Sequence, residues 1–76
     1  MTASSDRFVG IDVSKDMLDV HVRPDGLVFQ YPNSDDGISA LVGCLEKLTP
    51  TLVVIEATGG YENAAVAALS VAGIPS

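Results

Sequence analysis

A chain of 76 residues holds one small domain at most, and a domain of that size buries only about 60% of the surface its unfolded chain exposes. Apolar residues make up 47% of the sequence, which excludes a disordered chain and is high for so short a globular one, so an oligomer or a piece of a larger fold is expected. Ten acids against four bases give a net charge of −6, which argues against nucleic-acid binding by this chain alone; a metal site facing nucleic acid stays open, because divalent ions bring the positive charge that Lys and Arg would otherwise supply.

Residues 1–6 are polar, lack the apolar segment of a signal peptide and read as a disordered leader. Residues 7–13 read as a first strand, β-branched and unbroken except at Gly10, with apolar residues on both faces as in a central, doubly covered strand. Ser14-Lys15-Asp16 is a turn. Residues 17–23 alternate, with Leu18, Val20 and Val22 on one side and Asp19, His21 and Arg23 on the other, which predicts a half-buried strand. Pro24-Asp25-Gly26 signals a hairpin, and a third strand over 27–31 stops at Pro32.

The period then changes. Ile38, Leu41, Val42, Leu45 and Leu48 fall at helical spacing, with Ser34 as N-cap, Asp35 and Asp36 near the positive end, Lys47 in the last turn and Pro50 just beyond. Residues 51–56 read as a fourth, apolar strand of the central type. A crossover from strand three sets it parallel to strand one. After Thr58-Gly59-Gly60, residues 61–72 read as an alanine-rich second helix closed by Gly73. Ile74-Pro75-Ser76 reads as the start of another element, which favours a fragment. The expected class is α/β, in the order βββαβα: a mixed sheet with a three-strand antiparallel meander and a fourth strand parallel to the first.

Two apolar strands thus each end in an acid, Asp12 and Glu56. An unpaired charge in an apolar strand costs on the order of several kcal/mol, so Asp12 either sits where the strand opens to solvent or holds a cation. In an open sheet ligands bind beyond the carboxyl ends of parallel strands, where both acids fall. Paired carboxylates suit hard divalent cations and metal-assisted phosphodiester chemistry. They equally suit strand-end acids bonded to turn amides, and spacing alone does not separate the two.

Gly10-Ile11-Asp12-Val13-Ser14-Lys15, taken with Ile55-Glu56-Ala57-Thr58-Gly59-Gly60-Tyr61-Glu62, resembles the start of the DEDD insertion-sequence transposases. Their N-terminal domain is similar to the RuvC Holliday-junction resolvase, on a ribonuclease H-like fold. The resemblance covers residues 7–75 and implies that residues 7–76 are part of a RuvC-like domain lacking its C-terminal portion. It implies Mg²⁺- or Mn²⁺-dependent cleavage and strand transfer on DNA, with a structured RNA as further partner, in the bacterial cytoplasm. Asp12 and Glu56 match the first Asp and the Glu of the acidic tetrad. The other two acids, and a C-terminal domain with a serine implicated in strand chemistry, lie further along in such proteins. Half a metal cage is expected to bind Mg²⁺ weakly and to be inactive alone. Without the next strand, the fourth strand is expected to be a free edge through which copies associate.

The neighbouring residues carry weaker signals. Lys15, Thr58, Gly59, Gly60 and Tyr61 are possible nucleic-acid contacts: a cation beside the site, amides at a helix start and a ring that can stack on a base. Each has a plainer reading as turn, connection or packing. Asp19 and His21 read as solvated, Glu62 as a first-turn acid favoured by the helix dipole, and Cys44 as a small, partly buried side chain. As the single cysteine it forms no internal disulfide, which favours a reducing, cytosolic setting. No apolar run approaches membrane-spanning length. Two other classes fit the element order. One is a sugar-kinase or actin-like ATPase, disfavoured by the lack of glycine in the first turn. The other is a non-catalytic interaction domain with structural acids.

Overall fold

The computed structural model describes residues 6–57 and 59–75. Period-two segments form strands and period-3.6 segments form helices: β1 (Phe8–Val13), β2 (Met17–Arg23), β3 (Leu27–Pro32), α1 (Asp35–Leu48), β4 (Leu52–Ala57) and α2 (Asn63–Val71). The sheet order is β3-β2-β1-β4. β1 and β3 pair antiparallel with β2, and β4 pairs parallel with β1, as the sequence predicts. Residues 1–5 of the expected leader lie outside the described residues.

One face of the sheet carries the core. Val9, Ile11 and Val13 of β1, Leu18, Val20 and Val22 of β2 and Val53 of β4 are buried against Ile38, Leu41 and Leu45 of α1 and Ala65 and Leu69 of α2. Each buried Val, Leu or Ile among them contributes about 1.5–3 kcal/mol by leaving water. The other face is open. This corrects the expectation that β1 is covered on both sides: its outward residues are Phe8, 47% exposed, then Gly10 and the exposed Asp12. Both helices supply their buried residues to the same core, so nothing among the described residues covers the opposite side. β4 is an edge strand, as expected, but its apolar run is covered on one face only, with Leu52 and Val54 exposed on the open face. Its free side is occupied at one point, where the Val53 amide donates to the Pro75 carbonyl at 2.9 Å. Ile74, just before, is buried in the core.

Local chemistry sets the helix ends. The Ser34 hydroxyl accepts from the Gly37 amide at 3.2 Å, Asp35 and Asp36 occupy the first turn of α1, and Lys47 the last. α1 stops at Thr49, whose amide reaches the Leu45 carbonyl from a left-handed conformation at φ 46°. A β-branched residue rarely adopts that backbone. α2 starts two residues later than expected, at Asn63, because Gly59 and Gly60 at φ 77° and 78° spend the intervening chain on a left-handed turn. It ends as expected around Gly73, with Gly73 donating to Ser70 and Ile74 to Leu69, a Schellman motif.

The start of α1 is pressed against the end of β3. A Cβ at Gly37 would fall on the Pro32 carbonyl oxygen, whereas one at Gly43, in the same helix, meets nothing within 4 Å. Gly37→Ala should therefore lower stability by about 1–3 kcal/mol, as overpacking against backbone does. Gly43→Ala should raise it by up to about 1 kcal/mol through helix propensity. Urea unfolding of both variants measures the two opposite signs.

Tyr31, on β3, faces α1. A hydrogen bond with Cys44, helped by burial, pushes its pKa up to about 12. The folded state holds this proton more tightly than the unfolded chain, so the associated stability is complete below about pH 10 and is lost as pH rises toward 12. Ultraviolet titration of the chain against its Tyr31→Phe variant should place this ionisation near 12, and Cys44→Ala should move it back toward about 10.

Candidate metal centre

Because β1 and β4 are parallel, their carboxyl ends reach the same end of the sheet, and Asp12 faces Glu56 across the ladder. Directly paired residues share a face, and neighbouring strands run about 4.8 Å apart. The alternation that buries Ile11, Val13 and Val53 sends Asp12 and Glu56 outward, side by side, onto the open face. Both are exposed, so the desolvation cost of a charge in an apolar strand is avoided by orientation. The two acids form the wall between two depressions. One, about 390 Å³, is lined by Asp12, Val13, Glu56 and Ala57. The other, about 370 Å³, runs along the open face past Gly10, Phe8, Val54, His21 and Arg23.

A third acid stands in the same row. Asp19 pairs with Asp12 across β1–β2, and Gln30 pairs with Asp19 across β2–β3. The Gln30 side-chain nitrogen donates to Asp19 Oδ1 at 2.6 Å. Asp19 lies on the polar side of β2, as expected, and its register with Asp12 adds it to the row of acids. The signal was present, because Asp12 and Asp19 lie symmetrically about the Ser14–Met17 turn. His21 is exposed, as expected, one inward-facing residue further along the same face.

Two carboxylates on adjacent strands offer hard oxygen donors, which fit Mg²⁺ or Mn²⁺ as two of about six ligands. They do not enclose an ion: among the described residues no group of three or more His, Cys, Asp or Glu is arranged to hold one. Asp19, the third acid of the row, has its Oδ1 engaged by Gln30.

The flanking loops are placed as follows. Lys15 is exposed in the turn that follows β1. That turn is closed on itself: the Ser14 amide donates to the Met17 carbonyl at 2.9 Å and the Met17 amide to Ser14 Oγ at 3.2 Å. Amides so spent do not cradle a phosphate, which weighs against the ATPase reading. Thr58 lies outside the described residues. Gly59 and Gly60 form the exposed left-handed turn, and the Tyr61 ring folds back over Gly59 so closely that a Cβ there would sit 2.7 Å from the ring. Tyr61 remains 45% exposed. Glu62 is the residue before α2 and makes no side-chain cap bond, and its Oε1 is enclosed without a hydrogen-bond partner among the described residues. Expected in the first turn, Glu62 instead stands at the N-cap position of α2. Asn33, which no sequence signal singles out, donates its side-chain amide to Ser14 O at 2.9 Å and Tyr61 O at 3.2 Å.

Like charges directly opposite in a sheet repel, and Asp12 has an acid on either side. In chelator and low salt, Asp12→Asn should raise the melting temperature by about 2–4 °C, and added salt should shrink the gain. Circular dichroism melts check this; a fall in stability would mark Asp12 as structural.

Among the described residues no helix is long and apolar enough to cross a membrane. No curated protein matches the chain. A family model described as a transposase, of the IS110-type DEDD class, matches residues 9–76, almost the entire length, including both acids and both flanking loops. The chain belongs to the IS110-type DEDD transposase family.

Proposed function

We propose that this chain carries half of a divalent-metal site for phosphodiester cleavage and strand transfer on DNA, within a RuvC-like, ribonuclease H-like domain. The observation that carries the reading is the pairing of Asp12 with Glu56 on adjacent parallel strands, outward and at their carboxyl ends. Family membership supports DNA as the substrate. A bound Mg²⁺ or Mn²⁺ would supply charge stabilisation to a phosphodiester in displacement.

The chain's own residues supply the rest of the setting. Asp12 and Glu56 present carboxylate oxygens from strands whose inward neighbours are locked in the core. Rigid elements hold ligands more reproducibly than loops do. Gly10, between Phe8 and Asp12 on the open face, leaves space where a Cβ would meet nothing, so a ligand can approach the strand there. Lys15 stands in the turn after Asp12, suited to a phosphate beside the acids. The Gly59-Gly60 turn and Tyr61 follow Glu56 and suit backbone or base contact. With the chain's charge at −6, DNA approach depends on a cation at the acids or on basic surface from another polypeptide segment or a structured RNA partner.

Two donors out of about six give weak affinity, on the order of millimolar, and no cleavage by the chain alone. Isothermal titration with Mg²⁺ should show that weak binding, and Asp12→Asn and Glu56→Gln should each remove it. Tight stoichiometric binding would contradict the half-site, and cleavage of DNA by the isolated chain would contradict its inactivity.

A further inference from the structure

The two acids sit on different strands, and the segments that leave those strands are loops. A turn of Ser14 to Met17 follows β1, and a glycine turn ending in Tyr61 follows β4. Loops tolerate movement unless something ties them. The tie here is Asn33, in the connection between β3 and α1. Its side-chain nitrogen donates to Ser14 O and Tyr61 O, and its backbone amide donates to the Asp16 carbonyl at 2.9 Å. One side chain thus joins three segments at the end of the sheet that carries the acids.

The chemistry of the residue matches the task. A primary amide nitrogen has two protons, and each carbonyl takes one. Both partners accept only, so the nitrogen, not the oxygen, must face them. Aspartate has the same shape but would set a carboxylate against two carbonyls. Alanine would leave both carbonyls without this donor. No other side-chain hydrogen bond described joins the β1–β2 turn to the β4–α2 loop.

We infer that Asn33 is a positioning residue: its amide clasps the turn after Asp12 to the loop after Glu56 and so restrains the strand ends on which the two carboxylates stand. The inference rests on the metal-site reading for its purpose, but the clasp itself is testable without metal. It touches neither metal nor DNA; it acts through the backbone on which the ligands stand.

The test uses nitrogen-15 NMR on the 76-residue chain and its Asn33→Ala and Asn33→Asp variants. In chelator, the Ser14 and Met17 amides should exchange about tenfold faster in both variants, the effect of losing about one net hydrogen bond. The core amides of Val20 and Val22 should keep their protection. In a Mg²⁺ titration, the dissociation constant read from the Asp12 and Glu56 amides should rise about fivefold or more in the variants, within the range expected for lost supporting contacts. Unchanged exchange at Ser14 and Met17 overturns the clasp. Loss of protection at Val20 and Val22 in parallel with the loops, with an unchanged Mg²⁺ constant, makes Asn33 a general stabiliser and also overturns it. Should a variant fail to fold, the wild-type chain decides: slow exchange of the Asn33 side-chain amide protons supports the clasp, and solvent-like exchange overturns it. If the wild-type chain shows no response to Mg²⁺, the metal reading fails by itself, and the exchange comparison alone decides the clasp.

Discussion

The parallel register of β1 on β4 is the constraint on which the rest depends. It brings Asp12 to Glu56 across 44 residues of chain. It can do so only because α1 carries the chain from β3, at one edge, back to the far side of β1. A slip of one residue would turn Glu56 into the core and Val53 out of it. The buried row of Val9, Ile11, Val13 and Val53 therefore specifies the site as much as the acids do. The hydrophobic core sets the register, and the register sets the geometry of the carboxylates.

The open face gives that geometry its exposure. Both helices contribute to one core, leaving Phe8, Gly10, Asp12, Val54 and Glu56 to line a shallow depression together. The apolar residues there are isolated by Gly10 and flanked by His21 and Arg23. Such a face offers acids to solvent at no desolvation cost, but it also lets water compete for a cation. The row Asp19, Asp12, Glu56 is a concentration of like charge without a cation among its described partners. Such a row opposes folding slightly and favours binding of a cation, the balance expected where a site is kept at some expense of stability.

Much of this is legible in the residues. The alternation of β2, the stripe of α1 and the Ser34 cap each follow from a local pattern, and together they give the antiparallel meander and the crossover. Asp12 and Glu56 stand out because an acid in an apolar run is costly. The coverage of β1 is not legible, since Phe8-Val9-Gly10-Ile11 reads apolar on both sides whatever packs there. The open outer face of β4 is hidden by the apolar run Leu52 to Ile55 for the same reason. Asp19 needed the hairpin register as well as the alternation. Asn33 left no local sign at all: its partners lie 19 and 28 residues away, and its amide meets them only once three loops have converged. Thr49 hides likewise, because nothing in Thr-Pro announces a left-handed helix stop.

Paramagnetic Mn²⁺ reports whether Asp12 and Glu56 together form the place where a divalent cation binds. At substoichiometric Mn²⁺, amide resonances broaden according to their distance from the ion. Broadening should centre on residues 12 and 56 and their ladder neighbours, spread to the turn at 14–17, and disappear in both Asp12→Asn and Glu56→Gln. Broadening centred instead on Asp35 and Asp36, or spread evenly over the acidic surface and unchanged by those substitutions, would contradict it.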